Sequence, residues 1–537
     1  NSFTTQSDHA RSWYNPAMIE VQTHTGGEGA GLTLTNIIFD DARKHEGTVF
    51  AQASSGKSEG DESNKIYVQD AIIASNATVP STITLGEGAV LQNFGGMSAV
   101  RVTDQAKLVM KSGSVIKDAS SITRSKGDAG SVGPAGAVWL QGSDFEMENG
   151  AEIKNVNGRA VYADGGSVSV GGTISGIIGN PAMWQGKDGT AIHLRGSAKA
   201  TLNGKISDCT EGVLVFVDKA VFEMATGSFL GNSDAAGIKT NEDPTWSLVN
   251  KDDYGTDRNT ITIHGEISGI KNNKTPIQFK FGTLLIGADS NIHHNSVFYG
   301  TLYIQRDAIV DIYGKINNND ASSRGGGVAT AGHGEVVINM YEGAEVKGNT
   351  AVKNGGGIMI SSNTSFTMYG GEISGNVSQT VGGGIYQYKN NSKVELQGGT
   401  IRDNTMNATD VKDSSTGTEN DITISNQGNG SSNHYLYISQ NTELDNQNVY
   451  FQINSTTVTP AENSLDIKLG NASKESVTAL SGKADANGWN APLATFWAQR
   501  DGAAELTVGG LTFNKALPVY ALVQETGADG KPVSGAE

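Results

Sequence analysis

Apolar and polar residues alternate in short runs through the middle of this chain, and the runs come in threes. Between residues 325 and 404 three stretches superimpose: GGGVATAGHGEVVINMYEGAEVKGN, GGGIMISSNTSFTMYGGEISGN and GGGIYQYKNNSKVELQGGTIRDN. Each opens on Gly-Gly-Gly-apolar and ends on an asparagine, Asn349, Asn376 and Asn404, at spacings of 27 and 28. Alternation with period two predicts strands buried on one face. Three such strands per repeat, with a repeat in the twenties, predict a solenoid. Successive turns then stack about 4.8 Å apart, so register alone says which side chains share a surface.

The coils can be traced outward from the clear repeats. First strands read GMSAVRV, GAVWLQ, RAVYAD, TAIHLR, VLVFVD, AGIKTN, TPIQFK and GTLYIQ before the glycine triplets begin. Second strands such as FEMENG and ITIHG follow, and third strands such as AEIKN and GEISG close each coil. The expected fold is all-β, a right-handed parallel β-helix of about 12–14 coils with a C-terminal capping region. Residues 1–80 are expected to form an N-terminal cap and first coils, 81–455 the β-helix, and 456–537 a C-terminal cap and the start of a linker. The polar stretch after Asn404 reads as a long turn insertion. The turn asparagines are expected to form an internal ladder. Cys209, Asn232, Asn295 and Asn319 are placed at the same turn position, and Val156, Ile177 and Ile270 take it elsewhere.

Composition supports this reading. Gly is 70 of 537 residues, about twice the ordinary share, as tight repeated turns require. A net charge of -17 argues against nucleic acid, whose phosphates need a basic footprint, and against anionic membranes. No run of eighteen apolar residues suggests a span. The single cysteine, Cys209, rules out an internal disulfide framework, and its inward turn position predicts a buried structural thiol.

Candidate chemistry lies on the outward positions of the first strands. One column reads Arg101, Trp139, Tyr162, His193, Phe216, Lys239, Gln278, Tyr303, Ala329, Met359 and Tyr386. A second, two residues on, reads Gln141, Asp164, Arg195, Asp218, Asn241, Lys280, Gln305, Ala331, Ser361 and Tyr388. Rings beside a few polar groups suit a sugar, because rings pack on C–H faces while polar groups take hydroxyls. Interruptions before Trp139, before His193 and after Asn241 flank the same coils, and two of them carry Trp184 and Trp246. The expected substrate-binding set is Trp139, Tyr162, Trp184, His193, Arg195, Phe216, Lys239, Asn241, Trp246, Gln278 and Lys280.

Paired carboxylates would supply acid and base for glycoside cleavage. Asp218 is the expected base or nucleophile, since Arg195 beside it favours the ionised form. Asp243, Asp164 and Asp234 are the candidate partners, with Asp403 and Asp410 the next place to look. Arg195, Lys239 and Lys280 leave a polysaccharide lyase as a further alternative. No zinc constellation is evident, and His293 and His294, adjacent on a strand, should face opposite ways. No metal or cofactor is expected. The carboxylates Asp252, Asp253 and Asp257 offer calcium as the one alternative, without the ligand spacing of an EF-hand.

The motifs GGGI and GGEISGN, over roughly residues 30–450, resemble the right-handed parallel β-helix proteins on the surfaces of Gram-positive gut and oral bacteria. Glycoside hydrolase family 136, the lacto-N-biosidases, is the enzyme group this chain resembles. No residue role is carried over from it. The resemblance implies a secreted or wall-anchored setting, a place within a larger multidomain surface protein, and release of lacto-N-biose from milk-type or mucin-type glycans. The expectation is therefore an extracellular glycoside hydrolase, monomeric, acting on an oligosaccharide. The alternative is a non-catalytic adhesin or structural β-helix.

Overall fold

A computed structural model describes residues 17–22, 30–40, 70–75, 80–94, 98–119, 136–179, 189–240, 258–332, 334–388 and 391–425. Beyond these it describes the strand segments 432–438, 442–444, 448–452, 463–469, 476–482, 491–498, 506–508, 511–513 and 521–523. Among the described residues there is no α-helix, and one short 3-10 turn, Ser414–Thr416, interrupts the strands. The chain divides into two compact units, Asn1–Ile261 with Gly265–Ile267, and Thr262–His264 with Ser268–Glu537.

The first unit is a parallel β-helix in which each coil gives one strand to each of three sheets. In the first sheet, Val138 pairs with Val100 and Val161, Val161 with Ile192, and Ile192 with Val215. The second sheet stacks Phe145 on Leu108 and Val168, and the third stacks Ile153 on Ile116 and Ile174. These inward positions are wholly or almost wholly buried. Each large apolar side chain so buried stabilises the fold by about 1.5–3 kcal/mol. Because coils touch only their neighbours, the core is a column and not a ball.

At the third turn of this unit, Val156, Ile177 and Cys209 occupy one inward column, as expected, and all are buried. Asn232 does not belong to it. Register sets Ser207 opposite Gly231, which puts Cys209 opposite Ser233 and Asn232 opposite Asp208. Asn232 is exposed with φ 47°, matching Asp208 at 58° and Asn155 at 56°. Asparagine and aspartate tolerate this left-handed turn better than other non-glycine residues. Shared residue type had therefore suggested an alignment one position out.

The Cys209 thiol donates to the Ser207 carbonyl at 3.3 Å, and burial pushes its pKa from 9.0 up to about 12. The folded form thus keeps a proton that the unfolded form releases above pH 9. This contribution to stability is intact below pH 9 and is lost progressively between pH 9 and about 12. Native protein at pH 8 should leave Cys209 unreacted with a thiol-specific disulfide reagent and release one equivalent only in denaturant. Rapid reaction of the native protein would contradict the buried placement.

The second unit repeats the three-sheet plan and adds the asparagine ladder. Asn295, Asn319, Asn349, Asn376 and Asn404 are all essentially unexposed. Each ladder Oδ1 from Asn319 onward accepts the backbone N–H and the Nδ2 of the preceding asparagine, as with Asn376 and Asn349 at 2.9 and 3.1 Å. The remaining Nδ2 donor of Asn349 goes to Ile316 O at 2.8 Å, and that of Asn376 to Val346 O at 2.9 Å. Buried amides and turn carbonyls are thereby satisfied together.

The ladder explains the glycine triplets. The first glycine of each, Gly325, Gly355 or Gly382, has φ of 65°, 70° or 73°. The second lies against the adjacent coil's backbone: a Cβ on Gly383 would stand 2.5 Å from Thr405 N. The third makes room for the amides, since a Cβ on Gly357 would be 3.0 Å from Asn376 Nδ2. Each glycine in the triplet thus answers a different steric demand.

A fourth, short sheet was not expected. It is formed by Ser296–Tyr299, Asp320–Arg324, Thr350–Ala351, Val377–Ser378 and Thr405–Met406, each beginning just after a ladder asparagine, and by Thr418–Glu419, which pairs antiparallel with the last of them. Met406 joins Ala329, Met359, Val381 and Tyr386 in an apolar cluster on the outer side of the first sheet. Ala329, Met359 and Tyr386, read from the sequence as outward positions, are consequently buried. Parallel pairing of the main sheets continues to Ser476–Gly482, after which Ala491–Ala498 and Ala521–Val523 pair antiparallel.

Candidate functional site

In the first unit the first-sheet strands bring the expected column together. Arg101, Trp139, Tyr162, His193, Phe216 and Lys239 are consecutive partners in register. Their neighbours along each strand fill the core, so these side chains lie on the opposite face. The column is not open, however. Trp139 and Tyr162 are 4% exposed, His193 6% and Phe216 2%, while Lys239 is half-buried. The rings contact one another: Tyr162 and His193 centroids are 5.0 Å apart, His193 and Phe216 4.8 Å. The Arg101 guanidinium lies 4.0 Å above the Trp139 ring, and that of Arg159 lies 5.2 Å from the Tyr162 ring. Trp139 Nε1 is buried without a hydrogen-bond partner. Leaving such a donor unsatisfied costs about 1–3 kcal/mol.

The second row is the accessible part of the site. Gln141, Asp164 and Arg195 are exposed and Asp218 is half-buried, each one strand from the next. Each ends its strand. The residue after it, Gly142, Gly165, Gly196 or Lys219, adopts φ between 53° and 75°. The chain therefore turns away and leaves the row at the sheet's edge. Arg195 stands between the two carboxylates. The Tyr162 hydroxyl first, then Asp164 and Asp218, hold its guanidinium more firmly protonated than usual.

The carboxylate candidates separate. Asp164 and Asp218 lie two strands apart, roughly 9.6 Å between backbones, with Arg195 between them. Asp234 does not join them. It pairs with Thr210 at the far end of the strand, six residues before Thr240, or roughly 20 Å from the Asp218 level. Its Oδ1 is buried without a hydrogen-bond partner. The bulge between Thr210 and Val213 and the long strand Phe229–Thr240 set this separation, which turn counting did not capture. Asp243, Asn241, Trp184, Trp246, Asp252, Asp253 and Asp257 lie outside the described residues.

Gln278 and Lys280 belong to the second unit, where both are half-buried. Gln278 Nε2 reaches Gln305 Oε1 at 3.5 Å. Asp403 is ion-paired with Arg402 at 2.8 Å, and Asp410 receives the Lys412 backbone N–H at 2.9 Å. His293 and His294 do not face opposite ways. His294 has φ 51°, which breaks the strand alternation, and the two Nδ1 atoms lie 2.6 Å apart. One proton shared between two imidazoles accounts for that approach. Among the described residues no group of three or more His, Cys, Asp or Glu is placed to hold a metal. Nor is any helix there long and apolar enough to cross a membrane.

Sequence reasoning missed Tyr299 and Arg324, which the fourth sheet carries beside Tyr303 and Tyr388. A signal existed. TAVKN after Asn349 and VSQTV after Asn376 are longer than the NG that joins Val156 to the next first-sheet strand. Comparison with known proteins finds no matching family, no similar curated protein and no similar solved structure.

Proposed function

We propose that the chain is a carbohydrate-binding β-helix of the cell exterior, which grips a glycan along Gln141, Asp164, Arg195 and Asp218. The observation that carries this is the row itself. Amide, carboxylate, guanidinium and carboxylate alternate at strand spacing on an accessible edge, backed by the Trp139–Phe216 rings. Such a row offers donors and acceptors in the alternation that neighbouring sugar hydroxyls need. The secreted or wall-anchored setting rests on the resemblance of the GGGI and GGEISGN repeats. A glycan array followed by calorimetry tests the reading. Arg195→Gln should weaken the best ligand at least about tenfold, the effect of losing a charged hydrogen bond. Unchanged affinity would remove the row from the site.

Glycoside hydrolysis at this row is the second reading, favoured by Asp164 and Asp218 sharing one face near the separation of an inverting pair. Arg195 works against it, because the guanidinium-bearing strand lies between those of the two carboxylates, where the substrate and attacking water of such a pair would sit. Hydrolysis would then need Asp243 as the acid. If milk-type or mucin-type oligosaccharides are cleaved, Asp218→Asn should lower turnover about a hundredfold or more while binding persists. Near-normal turnover in that variant would exclude Asp218 from the chemistry.

A further inference from the structure

In the second unit the outer face of the first sheet carries a patch with aromatic ends. Tyr303, Ala329, Met359 and Tyr386 follow one another in register. Two residues on come Gln305, Ala331, Ser361 and Tyr388. Large rings thus bracket two coils with small side chains in the second row. The span from Tyr303 to Tyr386 is three strand spacings, roughly 14 Å, the length of two or three sugar rings. The floor is firm, because Ala329, Met359 and Tyr386 are buried in the cluster with Val381 and Met406, and Tyr303 and Tyr388 pack against it half-exposed.

The chemistry of the rim is specific. Tyr299 stacks on Tyr303 with centroids 5.8 Å apart, and Tyr388 on Tyr386 at 5.6 Å. Arg324 reaches across two coils, and its guanidinium carbon lies 5.1 Å from the Tyr388 ring centroid. Several other cations of this unit are paired: Arg402 with Glu372 and Asp403, Lys412 with Asp320, Lys315 with Glu345. Arg324 has no ion pair among the described residues, in a chain of net charge -17. Its guanidinium carbon lies over the Tyr388 ring, and no carboxylate among the described residues pairs with it.

From this we infer that the second unit holds a binding subsite for an acidic sugar. The pyranose would lie against Tyr388 and its carboxylate would meet Arg324. A planar guanidinium binds a carboxylate through two parallel hydrogen bonds, and the adjacent ring face takes the sugar's C–H surface. A neutral sugar would gain the stacking but leave the cation unmatched. The subsite is separate from the Gln141–Asp218 row, and neither reading depends on the other.

Titration calorimetry of the full chain at low salt tests this with two acidic probes, a hyaluronan tetrasaccharide and 3′-sialyllactose. Chitotetraose and lactose are the neutral controls. At least one acidic probe should bind tenfold or more above its control and weaken with added salt, and the probe that binds identifies uronate or sialate. Arg324→Gln should abolish that preference, and Arg324→Lys should restore part of it. Tyr388→Leu, which keeps an apolar contact with the cluster, should weaken the acidic probe by a similar factor. Arg195→Gln should leave this binding unchanged, which separates it from the first unit's site. The proposal is overturned if neither acidic probe binds, if acidic and neutral probes bind alike, or if Arg324→Gln binds as the natural chain does.

Discussion

Replacing Asn376 with alanine should cost the second unit about 4 kcal/mol. The substitution leaves the Asn349 backbone N–H, one Asn349 Nδ2 donor and the Val346 carbonyl without their partners. All three lie in a column with essentially no exposure, and each such group costs about 1–3 kcal/mol when orphaned. The small cavity left by the amide adds to this. The loss should be local at first, because coils depend on their immediate neighbours. Hydrogen exchange over residues 346–404 should accelerate by two or more orders of magnitude, with less change in the first unit. The control is Cys209→Val at the equivalent turn position, where Val156 and Ile177 already serve, and it should cost less than about 1.5 kcal/mol. Equal effects from the two variants would mean that the amides fill space and do nothing more.

Gly383→Ala should be comparably damaging, with a loss of about 3 kcal/mol or more and a fall in soluble yield. The new methyl carbon would stand 2.5 Å from Thr405 N and 2.7 Å from its carbonyl carbon and oxygen. Those are backbone atoms of the adjacent coil, fixed by the hydrogen bond from Thr405 N to Asn376 O at 2.8 Å. They cannot move aside as a side chain would. Gly343→Ala makes the comparison informative. That glycine has φ 81° but nothing within 4 Å of its would-be Cβ, so only backbone strain of about 1–2 kcal/mol applies. Urea unfolding of both variants decides the matter. If Gly343→Ala proves the worse, the triplets serve turn conformation and not close stacking of coils.

Much of the architecture was legible because a solenoid writes its contacts into its period. The partners of Trp139, Tyr162, His193 and Phe216 follow from alignment of one strand type, and the observed register agrees at each step. The same logic located the Asn295–Asn404 ladder. It failed where residue identity was trusted over position, as with Asn232, and where a left-handed residue reset the alternation, as with His294. Burial of the aromatic column was not legible, since period two separates the faces of a strand without saying what lies over the outer one. The candidate carboxylates were legible only as a row. Alternation places Asp164 and Asp218 together, but the distance to Asp234 depends on a bulge and a strand length that no repeat encodes.

The asparagine ladder also has a direction. Each ladder Oδ1 accepts from the earlier coil, and one Nδ2 hydrogen of each amide goes to the later coil while the other turns back to a carbonyl, so the amide C=O groups all point one way and their dipoles add. Such a stack is polarised in the manner of a helix, positive at the end where the last N–H bonds point. That end is Asn404, and its Nδ2 meets a carboxylate, Asp421 Oδ1, at 2.9 Å. Asp421 is 1% exposed, and a carboxyl group so deeply placed is costly without hydrogen-bond partners. The aligned amides supply one, much as a helix N-terminus holds an acidic cap. One carboxyl acceptor thus closes the column where the run of ladder asparagines stops, and it marks the C-terminal limit of this polarised stack.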